Sequence, residues 1–369
     1  MVQAFARATA HDLFAPRPAP TGAGRHLEAA VSWLGRAHDA SPDDGVSYGY
    51  SLKGGWRGSY PETSGYIVLT FFDLARARAD ADARERAVRI ARWLCREQHP
   101  TGGIANPWYG AERPIVFDTG QVLSGLVRAF EETGDPAFLD AAEKAGDWLV
   151  EIADADGLWS RHTYLGVMHA YNTRVAWPLL SLHALRPTRE RERVARANLD
   201  WAVARQRDGW FESCGFAAGE APFTHTIAYA LQGLVEAGLL LDEPAYLAAA
   251  ARGAEAVLGH LRTDGFLPGR IDVGGRPRTG SCCLTGNAQM AIVWLRLFQL
   301  SGEARLRTAA ERSLRYVMAC QDVAGPDADV RGGIKGSQPI WGGYAPFTYP
   351  NWAAKFFVDA LLLRERVDR

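Results

Sequence analysis

The feature that most constrains this chain is an internal repeat. Asp-Gly or Gly-Gly turn signals fall at Asp44-Gly45, Gly102-Gly103, Asp156-Gly157, Asp208-Gly209, Asp264-Gly265 and Gly332-Gly333. Between their second residues the steps are 58, 54, 52, 56 and 68 residues. A regular period of this size signals stacked copies of one supersecondary unit. Before each signal lies a charge-rich helical pattern, predicted over 26–38, 84–98, 136–152, 189–206, 245–262 and 304–321. After each signal comes a long loop and then a more apolar helix. Those are predicted over 62–76, 118–131, 172–185, 225–240, 287–300 and 351–363.

A helix apolar on most sides must be buried. Six such helices meet that need as the inner wall of a closed ring, with the six half-polar ones outside. An open solenoid is the alternative, but its repeats are usually shorter, ~34–47 residues. The predicted architecture is therefore all-α, with one ring domain over 24–369. Residues 1–23 are expected to be an extended arm, because Pro16, Pro18 and Pro20 block regular structure.

Composition narrows the function classes. The 41 Lys and Arg nearly balance 42 Asp and Glu, so there is no basic footprint for nucleic acid. No apolar run approaches the ~18 residues of a membrane span. The N-terminus lacks a charged start followed by an apolar core, and the five cysteines are odd in number, with Cys282 and Cys283 adjacent. Reduced thiols in a cytoplasm are expected. Neither HExxH nor CxxC occurs, so no metal ligand set and no cofactor are expected. Oligomeric state is open.

Six helical hairpins with Gly-rich, aromatic loops resemble the (α/α)6 toroids. That superfamily includes six-hairpin glycosidases, sugar 2-epimerases, toroidal polysaccharide lyases and the terpenoid cyclase and prenyltransferase repeats. The strings Tyr60-Pro61-Glu62-Thr63-Ser64-Gly65-Tyr66 and Tyr349-Pro350-Asn351-Trp352-Ala353-Ala354-Lys355 are similar to those of bacterial proteins with this repeat. The resemblance covers nearly all the chain after residue 24 and implies an enzyme scaffold, without a motif that assigns a reaction.

In a ring the starts of the inner helices converge on one mouth. Their first turns carry Glu62, Asp118 and Gln121, Tyr171, Asn172 and Arg174, His225, Asn287 and Gln289, and Asn351. Helix capping alone accounts for Asp118, Asn172, Asn287 and Asn351. It accounts poorly for His225, Arg174 and Gln289. Glu62 and Asp118 are candidate acid and base for glycoside hydrolysis, which needs two carboxylates. His225 and Tyr171 are candidates for proton transfer, with Arg174 or Asn172 holding a sugar carboxylate. Gln121, Asn287 and Asn351 are further candidate substrate ligands. Loop aromatics Trp56, Tyr60, Trp108, Trp341 and Tyr344 are expected to stack on sugar faces. Trp159 and Trp210 are expected in the core. The long loop 322–350, rich in glycine, reads as a lid or a linker. Cys282 and Cys283 precede an inner helix as nucleophile or, more commonly, as buried thiols.

The leading expectation is a carbohydrate-active enzyme: a glycoside hydrolase on an oligo- or polysaccharide, uronate-containing ones included. A lyase or epimerase using His and Tyr is the first alternative. An isoprenoid cyclase or hydratase is the second, although the expected DxDD motif is absent. A glycan-binding module without catalysis is the third.

Overall fold

The computed structural model describes residues 5, 8–10, 12–13, 20–107 and 113–368. The outer helices are α1 (Ala23–Asp39), α3 (Ala81–Glu97), α5 (Pro136–Glu151), α7 (Arg189–Ala204), α9 (Pro244–Leu258) and α11 (Ala304–Cys320). The inner helices are α2 (Pro61–Arg78), α4 (Val116–Thr133), α6 (Thr173–Leu185), α8 (Thr224–Leu241), α10 (Leu284–Ser301) and α12 (Asn351–Val367). Each inner helix packs on the next, and α12 packs back on α2, so the inner ring closes. Each inner helix also packs on the outer helix that comes after it in the chain, and α12 packs on α1, so the first and last helices share one hairpin-like contact.

The two rings differ as their sequences dictate. In α3 the buried residues are Ala83, Ala87, Ile90, Ala91, Trp93 and Leu94, a stripe at helical spacing. In α10 every residue from Leu284 to Leu295 is buried. Thr348–Pro350, just before α12, pairs antiparallel with Gly49–Ser51, so the last loop and the first are stitched together. Ser337–Gln338 pairs with Cys282–Cys283. The long loop 322–350 is thereby fixed in the wall.

The inner ring is tight enough that backbones touch. Gly65 of α2 and Gly125 of α4 face each other. A Cβ on Gly125 would lie 2.3 Å from the Gly65 carbonyl oxygen, and one on Gly65 would lie 2.6 Å from the Gln121 carbonyl oxygen. Only glycine allows this approach.

Two expectations need correction. Among the described residues of the arm, Phe5, Ala8–Ala10 and Asp12–Leu13 are helical rather than extended. Alanine-rich sequence ahead of the prolines favours helix, and a proline breaks only the helix that would run through it. Capping also falls differently. Four of the six outer helices carry side-chain caps: Asp80 accepts from Ala83 N, Asp135 from Ala137 N, Thr188 from Arg191 N and Glu243 from Ala245 N. The inner helices carry none: their N-cap residues are Tyr60, Ile115, Asn172, Phe223, Cys283 and Pro350, and none accepts a capping bond. Polar residues at the inner helix starts are therefore not held there as side-chain N-caps.

Candidate active site

A cavity of about 370 Å³ opens at the N-terminal ends of the inner helices. This lies at the lower end of ligand-sized pockets. Glu62, Asp118 and His225 all line it, from α2, α4 and α8. Tyr171, Tyr60 and Tyr344 line it as well. These six expected site residues thus share one hollow.

Glu62 and Asp118 are joined by a short polar chain. The Tyr60 hydroxyl donates to Glu62 Oε2 at 2.5 Å. Asn106 Nδ2 donates to the Tyr60 oxygen at 3.0 Å and to Asp118 Oδ2 at 2.8 Å. The two accepting carboxylate oxygens cannot be farther apart than these three lengths laid end to end. That limit is below the ~9.5 Å upper end for paired carboxylates in glycoside hydrolysis.

Burial raises both acids: Glu62 is pushed up to about 7, and Asp118 well above its usual range. For Asp118 the second cause is the Glu62 charge; for Glu62 the Tyr60 hydroxyl partly offsets burial. The Glu62 charge raises Asp118 and not the reverse, so Glu62 is the first of the two to ionise as pH rises and Asp118 keeps its proton longer. Both folded values lie above the unfolded ones, so the folded state holds the extra protons. The pair's contribution is complete below the unfolded values near pH 4 and is lost as pH rises through neutrality. A chain carrying both Glu62→Gln and Asp118→Asn is therefore expected to lose part of the Tm decline between pH 5 and pH 8. The recovery is roughly 3 °C at pH 8. Melting curves at the two pH values check this, and parallel curves for the two proteins would contradict it.

His225 is buried and held neutral: desolvation lowers its pKa to about 3. Its Nδ1 donates to Gln289 Oε1 at 2.5 Å, which leaves Nε2 as the basic nitrogen. This explains the Gln289 that capping did not. Tyr171 stacks on His169 with ring centroids 4.3 Å apart, and Phe117 meets it edge-on.

The other candidates are elsewhere. Arg174 is buried at 2 % exposure, off the cavity wall, 4.7 Å over Trp177 and 5.8 Å over Tyr229. Lys355 is similarly buried, 5.1 Å over Tyr66 and bonded to Asp359. Tyr66 and Tyr229, whose hydroxyls are 3.5 Å apart, line the cavity, so these two cations sit behind its tyrosines. Gln121 donates to the Phe117 and Arg174 carbonyls within the ring. Asn172 is buried with Oδ1 unpartnered among the described residues, away from the cavity lining. Asn287 is already the fourth residue of α10, because that helix starts at Leu284. It donates to the Gly265 carbonyl at 2.9 Å and accepts from the Cys282 thiol. Asn351 donates to Ser47 O and Thr63 Oγ1. Trp56 donates to Asp329 and packs on Trp33. Trp341 is 38 % exposed and lines a different pocket. Trp108 lies outside the described residues.

The cysteines are free thiols. Cys283 is fully enclosed and burial pushes it up to about 12, against a nucleophilic role. Trp159 and Trp210 are core residues as expected. No group of His, Cys, Asp and Glu among the described residues is arranged to hold a metal ion.

Sequence reasoning missed Asn106, Tyr66, Tyr229, Tyr48, Phe216 and Trp352 on the cavity wall. A signal existed for two of them. Tyr66 and Tyr229 stand four residues after Glu62 and His225, one turn deeper on the same helix face. Asn106 lies in a loop with no such marker.

The closed double ring with its cavity at the inner N-termini makes this chain an (α/α)6 toroid. The profile of the squalene-hopene cyclase C-terminal domain matches residues 63–236. No curated protein sequence matches the chain. Solved structures share the fold at low identity. An unsaturated glucuronyl hydrolase from Bacillus sp. GL1 is 17 % identical, with 93 % of this chain and 97 % of that chain covered and a TM-score of 0.74. A D-mannose isomerase is 11 % identical over 92 % of this chain and 96 % of that one, with a TM-score of 0.72. A cellobiose 2-epimerase from Bacillus thermoamylovorans B4167 is 12 % identical over 99 % of this chain and 100 % of that one, at 0.72. No described helix is long and apolar enough to cross a membrane.

Proposed function

We propose that the chain is a glycoside hydrolase acting on the terminal sugar of a neutral oligosaccharide. The observation that carries this reading is the Glu62–Tyr60–Asn106–Asp118 chain inside an aromatic cavity. Protonated Asp118 gives its proton to the leaving glycosidic oxygen. Ionised Glu62 takes a proton from the attacking water, so the glycosidic C–O bond breaks as a new C–O bond to water forms. Tyr60 and Asn106 hold the two carboxylates in register. The tyrosines and phenylalanines of the wall supply faces for a sugar ring.

The solved relatives that act on sugars support the class, and the lining narrows the substrate. Among the described residues no Lys or Arg lines the cavity, and His225 is neutral. A uronate or a prenyl diphosphate would meet a carboxylate without a counter-cation, which costs free energy in a buried site. A panel of aryl glycosides tests the reading. Turnover of neutral glycosides above glucuronides is expected, and turnover of neither would overturn it.

One observation favours a second reading. A neutral His225 with a free Nε2 fits proton abstraction beside a sugar carbonyl. Epimerisation by that route exchanges a carbon-bound hydrogen with solvent. In D2O, deuterium entry into cellobiose or mannose, lost in His225→Gln, would replace the hydrolase proposal; no entry leaves the carboxylates as the acting pair.

A further inference from the structure

A second pocket, of about 300 Å³, lies on the far side of the loop that carries Tyr344. Trp341, Gln338, Phe266 and Tyr316 line it, with Arg262 and Asp264 beside them. We propose that this pocket is a distal sugar subsite, holding the part of an oligosaccharide that extends out of the central cavity. The proposal rests on the carbohydrate reading above and specifies an oligosaccharide longer than the cavity itself can hold.

Three features of the pocket match a neutral sugar. Trp341 is among the large apolar side chains left exposed, at 38 %, and offers a flat face to the apolar side of a pyranose ring. Gln338 is only 7 % exposed, and its Oε1 is buried with no hydrogen-bond partner among the described residues. Oε1 is closed to the pocket space, so it is the amide Nε2 of this lining residue that has hydrogens to give to a sugar hydroxyl. The charges are already compensated. Arg262 pairs with Asp264 at 2.9 Å. Asp12 reaches in from the N-terminal arm, pairs with Lys335 and accepts from Ile340 N at 2.7 Å. An anion therefore finds no uncommitted cation among the described residues there, whereas hydroxyls find polar edges beside an aromatic face.

Position links this pocket to the cavity. Gln338, Pro339 and Trp341 face the second pocket, and Gly343, Tyr344 and Ala345 face the central one. Trp341 and Gly343 are two residues apart, at most ~7 Å along the chain. The loop is held as one unit, because Ser337 Oγ donates to Tyr344 O at 2.8 Å and accepts from Tyr344 N at 3.0 Å. A glycan leaving the cavity past Tyr344 crosses this short partition and meets Trp341.

Calorimetric titration of the full chain carrying Asp118→Asn, chosen because the hydrolase reading expects it to slow turnover, tests the proposal. The probes are di- and tetrasaccharides of β-linked glucose, β-linked mannose and β-linked N-acetylglucosamine. At least one tetrasaccharide is expected to bind about tenfold tighter than its disaccharide, the gain of one added stacking contact. Adding Trp341→Ala should bring that ratio close to one, Trp341→Phe should keep part of it, and Gln338→Leu should reduce it. Melting curves establish that each variant is folded. Disaccharide binding with no gain in length, or a gain that survives Trp341→Ala, overturns the subsite alone. No binding by any of the sugars overturns both the subsite and the carbohydrate reading.

Discussion

Replacing Glu62 by Gln, or Asp118 by Asn, is expected to lower kcat by roughly 10²–10⁴-fold on any glycoside the wild-type chain turns over. The reason is the division of labour that burial imposes. Asp118 keeps its proton because it is enclosed and because Glu62 beside it carries the charge. Each amide substitution preserves shape and removes one proton donor or acceptor, so KM should change far less than kcat. The double variant should fall little further than the worse single one, because the two act as a unit. The pH–rate profile carries an additional signature. The acidic limb reports the base and the alkaline limb the acid, so wild type should show a bell centred near or above neutrality. Asp118→Asn should flatten the alkaline limb, and Glu62→Gln the acidic one. Asn106→Ala should act through position: it frees Asp118 Oδ2 from its donor, and its loss is expected to be about tenfold and smaller than that of either carboxylate. Full activity in Glu62→Gln and Asp118→Asn alike would end the hydrolase proposal, whatever the sugar.

Gly125→Ala is expected to destabilise the protein by about 3 kcal/mol or more, the upper part of the range for overpacking. The new methyl group would sit 2.3 Å from the Gly65 carbonyl oxygen, in the backbone of a facing helix rather than at the flexible end of a side chain. Neither α2 nor α4 can retreat alone, because each is wedged between two inner neighbours of a closed ring. A fall in Tm of roughly 6 °C or more is the readout. Gly24→Ala provides the contrast. Gly24 lies in the first turn of α1, where an added Cβ meets nothing within 4 Å. There the same substitution should be neutral or stabilise by up to about 1 kcal/mol, through the intrinsic helix preference for alanine. Equal melting temperatures for the two variants would contradict the close approach of α2 and α4.

The repeat was readable from the chain because the hydrophobic effect acts locally on it. Striped helices such as α3 and mostly apolar ones such as α10 can be sorted into an outer and an inner wall from residue spacing alone. The long loops all precede inner helices, which fixes the end where polar first turns gather. Glu62, Asp118 and His225 emerged from that arrangement alone. The features that stayed hidden depend on rotation and depth. Asn287 was expected at the mouth, but α10 begins three residues earlier than its polar signal, and that turns the amide into the hairpin. Arg174 carries the residue type that would hold a substrate, yet its helix face points it behind Tyr229 among aromatic rings. Asn106 has no periodic marker, and only the packing of its loop brings it between Tyr60 and Asp118. Sequence thus determined which segments are helical, which ring each one joins and at which end the polar groups collect, because those depend on spacing and burial. Which of those groups face one another was decided by tertiary structure, because a shift of one residue turns a side chain by about 100° around its helix.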